Sequence, residues 1–297
     1  VIATAESPYR GRFAPSPTGP LHQGSLLAAL ASFLDARHNG GRWLVRMEDL
    51  DPPREEAGAA RSILDSLRNH GLHWDGDVLF QSRRGAAYSA ALARLAAGGH
   101  LFSCDCTRAL LGPDGACCGH CRERQGQLAG PSAIRVAVPP DCHIEFTDQI
   151  QGVVTTALGA ASADFVVKRK DGLFAYQLAV VVDDAWQEIN HVVRGSDLLD
   201  STARQIFLQQ LLGQPTPRYS HIPVITDASG QKLSKQNHAP ALDDHNAPAN
   251  LRAALHFLNQ QQPPAALATS GEILAFATRC WTPGNIPALM SIDAASH

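Results

Sequence analysis

The sequence predicts an α/β fold built on a parallel sheet. Three observations carry that expectation. A strand, a helix and a second strand follow one another over residues 10–47, glycines close the helices, and a later strand-rich stretch gives way to another well-punctuated helix.

The first strand spans Arg10 to Ala14 and is stopped by the turn-rich Pro15-Ser16-Pro17-Thr18-Gly19-Pro20. From Ser25 to about His38, Leu26, Leu27, Leu30, Phe33 and Leu34 recur on one helical face, and Asn39-Gly40-Gly41 ends the pattern. Trp43 to Met47 is the second strand. Helices are expected over residues 55–69 and 85–97, each closed by glycine. Alternation in Ala133–Val138, Ile144–Ile150 and Phe165–Lys168 indicates a strand-rich insertion. A helix over Ser201–Leu212 has Asp200 or Ser201 as its cap, Gly213 as its stop and Pro215 beyond. After Asp243-Asp244 the chain turns helical, then fades into a Pro- and Ala-rich tail.

With 297 residues the chain has room for one large or two modest domains. Charged residues interrupt every apolar stretch, so no membrane span is expected. Residues Val1 to Arg10 lack a charged-then-apolar secretion pattern, so a cytoplasmic location is expected. The net charge of −3 excludes a general basic footprint for nucleic acid. Such a partner needs local patches: Arg83-Arg84, Arg122 with Arg124, or Lys168-Arg169-Lys170. No obligate protein partner is evident.

Five of the seven cysteines fall between Cys104 and Cys121, while Cys142 and Cys280 stand apart. An odd count without a secretion signal argues for a metal site rather than a disulfide framework. Cys104-x-Cys106 followed by Cys117-x3-Cys121 can wrap a tetrahedral zinc, with Cys118 and His120 as rival ligands. Four protein ligands leave no open position, so one structural zinc per chain is expected.

Two loops carry chemistry. Arg12 to Ser25 joins a strand to a helix through a turn that aims helix N-terminal amides at an anion. There Gly24 lets a planar ring or a phosphate approach the backbone, and His22 adds a hydrogen bond to developing negative charge. The second loop, Gly230-Gln231-Lys232-Leu233-Ser234-Lys235-Gln236, sets two lysines around a serine, which suits neutralising and releasing a polyphosphate.

In this order and about two hundred residues apart, the two loops resemble the HIGH and KMSKS signatures of class I aminoacyl-tRNA synthetases. Arg12-Phe-Ala-Pro-Ser-Pro-Thr-Gly19, Arg46-Met-Glu-Asp-Leu-Asp-Pro-Pro-Arg54 and Val193-Arg194-Gly-Ser-Asp197 look like the glutamyl branch. The resemblance covers roughly residues 10–245. Ser25 stands where HIGH ends in histidine, as is common in that branch, and Gln236 stands where KMSKS ends in serine.

The resemblance implies a Rossmann-like class I catalytic domain with a zinc-containing insertion and a short helical C-terminal part. Its parts would be residues 8–100 and 166–245 as the two catalytic halves, 101–165 as the zinc-binding, acceptor-binding insertion, and 246–297 as the helical extension. It also implies that Arg12, Ser16, Glu48, Tyr176 and Arg194 bind L-glutamate. The arginines would neutralise carboxylates, Glu48 would accept from the ammonium, and Tyr176 would fix orientation. ATP, with Mg²⁺, would fall to His22, Gly24, Ser25, Lys232, Ser234 and Lys235, with His22 and Lys235 catalytic. In the relatives tyrosine often stands at the Cys117 position, so this chain would carry an all-thiolate zinc site.

Only 62 residues follow Lys235, too few for the helical anticodon-reading domain of a glutamyl-tRNA synthetase. That feature, the cysteine cluster and Lys232-Leu-Ser-Lys-Gln-Asn-His-Ala-Pro-Ala-Leu242 resemble the glutamyl-queuosine tRNA(Asp) synthetase family. The implied reaction activates glutamate with ATP and transfers it to the cyclopentenediol of queuosine in the anticodon of tRNA(Asp). Three other readings share these motifs: a truncated glutamyl-tRNA synthetase charging a tRNA 3′ end, a different adenylate-forming class I ligase, and a non-catalytic zinc-containing RNA-binding paralogue.

Overall fold

A computed structural model describes residues 7–111, 117, 120–125, 127–128, 130–159, 164–227 and 240–293. The chain opens with the expected β-α-β unit: β1 (Arg10–Phe13), α1 (Gln23–His38) and β2 (Arg42–Met47). β1 and β2 pair in parallel, Arg10 opposite Arg42. Gly40 ends α1 with φ +63°, a left-handed conformation that costs glycine little. At Gly41 a Cβ would stand 2.5 Å from the Tyr9 carbonyl oxygen, so only glycine lets β2 start against β1 there.

α2 (Ala59–Asn69), β3 (Leu79–Phe80) and α3 (Gly85–Ala97) complete the first half, β3 adding to β2 in parallel. α2 starts four residues later than its periodicity predicts, because Pro52–Arg54 form a 3-10 turn and Gly58 sits at φ +82°.

β4 (Leu101–Cys104), β5 (Ala133–Val136) and β8 (Phe165–Lys168) then form a small antiparallel sheet, with the short α4 (His120–Glu123) beside it. β6 (Ile144–Asp148) and β7 (Gly152–Thr156) make a hairpin, and β6 pairs in parallel with β10 (Arg218–Ile222). β10 in turn pairs in parallel with β9 (His191–Gly195). β9 lies beside β1, where the Asn190 amide donates to the Arg10 carbonyl at 3.1 Å. The strands therefore run β3-β2-β1-β9-β10-β6-β7, with the order reversing between β1 and β9.

Helices cover both faces of this layer. α1 packs with α7 (Ala247–Phe257) and α8 (Ser270–Cys280) around Leu30, Trp43, Leu251, Ile273 and Trp281. On the other face α3, α5 (Tyr176–Trp186) and α6 (Leu199–Leu211) bury Tyr88, Leu178, Val181 and Phe207. α6 begins two residues before the expected start. Leu198, not Asp200 or Ser201, is its N-cap, and Asp200 instead lies in the first turn, where a negative charge favours the helix dipole. The expected fading tail contains α8, started by a capping box in which Thr269 and Glu272 satisfy each other's backbone amides. β11 (Val224–Thr226) pairs with β12 (Ser291–Asp293). Among the described residues no helix is long and apolar enough to cross a membrane.

Candidate active site

At the carboxyl ends of β1 and β9, where the strand order reverses, lies a cavity of about 480 Å³. Open α/β sheets bind ligands at such switch points because adjacent connections leave to opposite faces and a crevice remains between them. Residues from the turn after β1, the N-terminus of α1 and the ends of β9 and β10 line it.

Eight of the candidate residues meet there: Arg12, Ser16, His22, Gly24, Ser25, Glu48, Tyr176 and Arg194. They come from positions up to 182 residues apart, between Arg12 and Arg194. Three guanidiniums, of Arg12, Arg54 and Arg194, face two acids, Glu48 and Asp197, leaving an excess of positive charge. A substrate with two carboxylates and one ammonium offsets that excess.

Two of the lining arginines, Arg12 and Arg194, are buried and held by hydrogen bonds. Arg12 Nε donates to Asp184 Oδ1 at 3.2 Å. The same oxygen accepts from Arg46 at 2.6 Å, and Arg46 also donates to Gln187 at 2.9 Å and to Glu48 at 3.3 Å. Arg46 itself is fully buried. Burial pushes the Asp184 carboxyl up, but Arg12 and Arg46 outweigh it and hold it below the usual carboxylate range. Burial dominates at Glu48, whose carboxyl is raised despite Arg46 and Arg12, and burial also raises Tyr176.

Arg194 donates to Gln205 and Thr202 at 2.8 Å, to His221 at 3.0 Å and to the Tyr176 hydroxyl at 3.3 Å. Its guanidinium is thus oriented by α5, α6 and β10 together. His22 is the N-cap of α1, with its Nε2 2.9 Å from Ser25 Oγ.

Lys232, Ser234 and Lys235 lie outside the described residues. Both flanks of their segment reach the cavity region. Val224 and Ile225 of β11 line the cavity before it, and Ala241 forms a bridge with His22 after it.

The basic patches are largely engaged in ion pairs. Arg84 meets Asp183, Arg122 meets Asp164, Arg124 meets Asp105, and Arg169 meets Asp51 and Asp171. Lys170 Nζ donates to the carbonyls of Asp105 and Cys106 at 2.8 Å, tying β8 to the cysteine knuckle.

That knuckle brings the Sγ atoms of Cys104, Cys106, Cys117 and Cys121 within 4.8 Å of one another, all four buried. Cys106 Sγ stands 3.8 Å from that of Cys117 and 3.4 Å from that of Cys121. Tetrahedral zinc with bonds of about 2.3 Å needs sulfurs about 3.8 Å apart, so the donor set and its spacing fit a metal ion. The four are free thiols, not disulfides. Cys118 and the side chain of His120 lie outside the described residues.

Sequence reasoning missed Asp184, which holds Arg12, and His221, which holds Arg194 with Asp148 behind it. For Asp184 a signal existed: two acids follow the apolar run Leu178–Val182 within one helix, and a charge on a buried helix face must find a partner.

The family model for the catalytic domain of class I tRNA synthetases (E and Q) matches residues 9–112 and 116–255. Among curated proteins the chain is 54% identical to a Glutamyl-Q tRNA(Asp) synthetase of Thiobacillus denitrificans, covering 93% of this chain and 94% of that one. It is 50% identical to a Glutamyl-Q tRNA(Asp) synthetase of Pseudomonas entomophila, covering 98% of both chains. Among solved structures, a glutamate tRNA ligase from Elizabethkingia meningosepticum in complex with its amino acid matches with a TM-score of 0.80 at 23% identity. That match covers 97% of this chain and 67% of the other, and it shows the shared fold.

Proposed function

The chain belongs to the class I tRNA synthetase (E and Q) catalytic-domain family and, within it, to the glutamyl-Q tRNA(Asp) synthetases, and from that premise we propose how its residues perform the reaction. The enzyme activates L-glutamate with ATP and transfers it to the queuosine cyclopentenediol of tRNA(Asp). The observation that carries this reading is the cavity at the switch point, where Arg12, Glu48, Tyr176 and Arg194 converge with the N-terminus of α1.

Arg194 and Arg12 neutralise the two carboxylates of glutamate, Glu48 accepts from its ammonium, and Tyr176 and Ser16 orient it. The glutamate α-carboxylate attacks the α-phosphorus of ATP in line, forming glutamyl-adenylate and releasing pyrophosphate. His22, Ser25 and the helix N-terminus at Gly24 stabilise charge that develops at the phosphates. Lys232, Ser234 and Lys235 neutralise the departing pyrophosphate, with Mg²⁺ accompanying ATP. A hydroxyl of the cyclopentenediol then attacks the activated carbonyl, AMP leaves with the bonding electrons of the broken acyl–oxygen bond, and the hydroxyl proton passes to solvent. Holding the reactants in one cavity supplies much of the acceleration.

Residues 8–100 and 166–245 act as the catalytic halves, 101–165 as the acceptor-binding insertion, and 246–297 as the helical extension. One structural zinc, held by Cys104, Cys106, Cys117 and Cys121, orders that insertion near the nucleic acid. Purified protein is expected to hold about one zinc per chain, and Cys117→Ala to lose it. Metal analysis finding no zinc, or finding that Cys118→Ala loses it while Cys117→Ala keeps it, would overturn the assignment.

The acceptor is tested with tRNA and labelled glutamate. Queuosine-containing tRNA(Asp) shortened at its 3′ adenosine is expected to be glutamylated, because that ribose is not the acceptor. An unmodified transcript with an intact 3′ end is expected to fail, since it lacks the diol. The reverse pattern would identify a glutamyl-tRNA synthetase core.

A further inference from the structure

Behind the cavity a line of buried groups ends on Arg194. His221, in β10, is fully buried and does not line the cavity. Its Nε2 lies 3.0 Å from Arg194 Nε, and its Nδ1 lies 2.6 Å from Asp148 Oδ2. Asp148 ends β6 and is 1% exposed.

The proton positions follow from counting donors. A guanidinium nitrogen only donates, so Nε2 of His221 holds the lone pair and the imidazole proton sits on Nδ1, donated to Asp148. The other oxygen, Oδ1, accepts the backbone amides of Ile150 at 3.0 Å, Gln151 at 2.9 Å and His221 at 3.1 Å. The carboxylate is therefore fixed by backbone along one edge and faces the imidazole with the other.

The groups facing His221 are Asp148 from β6, Arg194 from β9, Arg12 from β1, Thr202 from α6, and Tyr219 on its own strand. Burial, with help from Arg194 and Arg12, outweighs Asp148 and holds the imidazole below its usual value. Asp148 is also held low, since its bonds to His221 and the amides outweigh burial. A neutral imidazole beside an ionised carboxylate is the state these bonds require.

We propose that Asp148 and His221 are a positioning pair for the substrate-binding arginine: Asp148 sets the tautomer of His221, which in turn fixes the guanidinium plane of Arg194 and so the affinity for glutamate. This rests on the reading of Arg194 as a ligand of the substrate carboxylate. Neither residue touches substrate. Of the other partners of Arg194, Gln205 Oε1, the Tyr176 hydroxyl and the Leu198 carbonyl accept whatever the state of His221. Thr202 Oγ1 accepts from Arg194 at 2.8 Å and lies 3.2 Å from His221 Nε2, so the lone pair that Asp148 keeps on Nε2 faces both Arg194 and Thr202.

The decisive variant is D148N, nearly isosteric with the native residue. The three backbone amides hold the asparagine oxygen where Oδ1 was, so its NH2 faces His221 Nδ1 and moves the imidazole proton to Nε2. Two donors then oppose each other at Arg194, the wrong-tautomer effect by which an orienting aspartate is known to act on a histidine. In ATP–pyrophosphate exchange the KM for glutamate is expected to rise about tenfold or more, with the KM for ATP within about twofold. Nitrogen-15 NMR of the ring is expected to show the proton moved from Nδ1 to Nε2.

H221Q offers an amide oxygen that accepts from Arg194 without help from Asp148, whereas H221A offers none. H221A is expected to raise the glutamate KM about tenfold, H221Q to restore most of that loss, and D148N to add little in the H221Q background. Should D148N fail to fold, H221A against H221Q carries the decision. Wild-type glutamate KM in D148N, a parallel rise of both KM values, or equal losses in H221A and H221Q would overturn the proposal. R194A with unchanged glutamate KM would instead remove the reading beneath it.

Discussion

Asp184→Ala is expected to destabilise the protein by about 3–5 kcal/mol, because it leaves two buried guanidiniums without their shared carboxylate. Arg46 is 0% exposed and Arg12 3% exposed, and both donate to the same Oδ1. Desolvating either charge is tolerable only while that oxygen is there. Gln187 also accepts from Arg46 at 2.9 Å but carries no charge, and Glu48, at the longer 3.3 Å, has its own carboxyl pushed up by burial. A loss of this size is a large fraction of ordinary domain stability, equivalent to a fall of roughly 10 °C in Tm for a chain of this size.

The pH dependence carries the same sign. The carboxyl of Asp184 titrates below its usual value in the folded state, so its stabilisation is present above an unfolded pKa of about 3.9 and is lost as pH falls through the folded value. Thermal melts of wild type and D184A from neutral to acid pH check both claims. The gap between them is expected to be constant near neutrality and to narrow in acid. A D184A melting temperature within 2 °C of wild type, as a rough bound on error, would show that the arginines find other partners.

Arg194→Ala is expected to weaken glutamate binding by ~1.5–3 kcal/mol, the range for hydrogen bonds to charged groups. Five bonds from α5, α6, β10 and the turn before α6 hold that guanidinium, including one to the Leu198 carbonyl at 3.4 Å. Alanine removes the charge and leaves those acceptors without a donor. Arg194→Lys is expected to recover only part, because an ammonium keeps the charge but cannot reproduce a planar fork. Lys235→Ala is expected to behave differently, slowing adenylate formation while leaving glutamate affinity nearly unchanged, since the proposed mechanism assigns it to the phosphates. Glutamate titrations in ATP–pyrophosphate exchange separate these outcomes. Equal effects of the two alanine substitutions on glutamate affinity would contradict the division of roles.

What could be read without coordinates was local chemistry. The β1-α1-β2 unit was legible because leucines recur at helical spacing and Gly40-Gly41 stops the helix in the place where a left-handed turn and a close backbone approach are both required. The cysteine knuckle was legible because four cysteines within eighteen residues, in two closely spaced pairs, can be brought together by one short loop. The loops at His22 and Lys235 were legible as motifs, since phosphate contacts of this kind come from consecutive backbone and nearby side chains. Several elements, among them β4, β9 and β10, had no counterpart in the sequence reading, and two helices escaped for want of local contrast. In α5 the run Leu178–Val182 is as apolar as a buried strand, and in α8 the capping box Thr269-x-x-Glu272 was masked by a Pro- and Ala-rich surround.

The partners of the charges were decided by the tertiary structure alone. Arg46 lies in a strand that the sequence predicts, but Asp184, its partner, is 138 residues away. Asp148 and His221 meet across 73 residues only because β6 joins β10 in parallel. The energy of such pairs depends on separation and burial, neither of which a linear spacing encodes. Residue types and their local order therefore named the chemistry of this protein, and the pairing of strands and the packing of α5 and α6 against them settled which arginine is held by which acid.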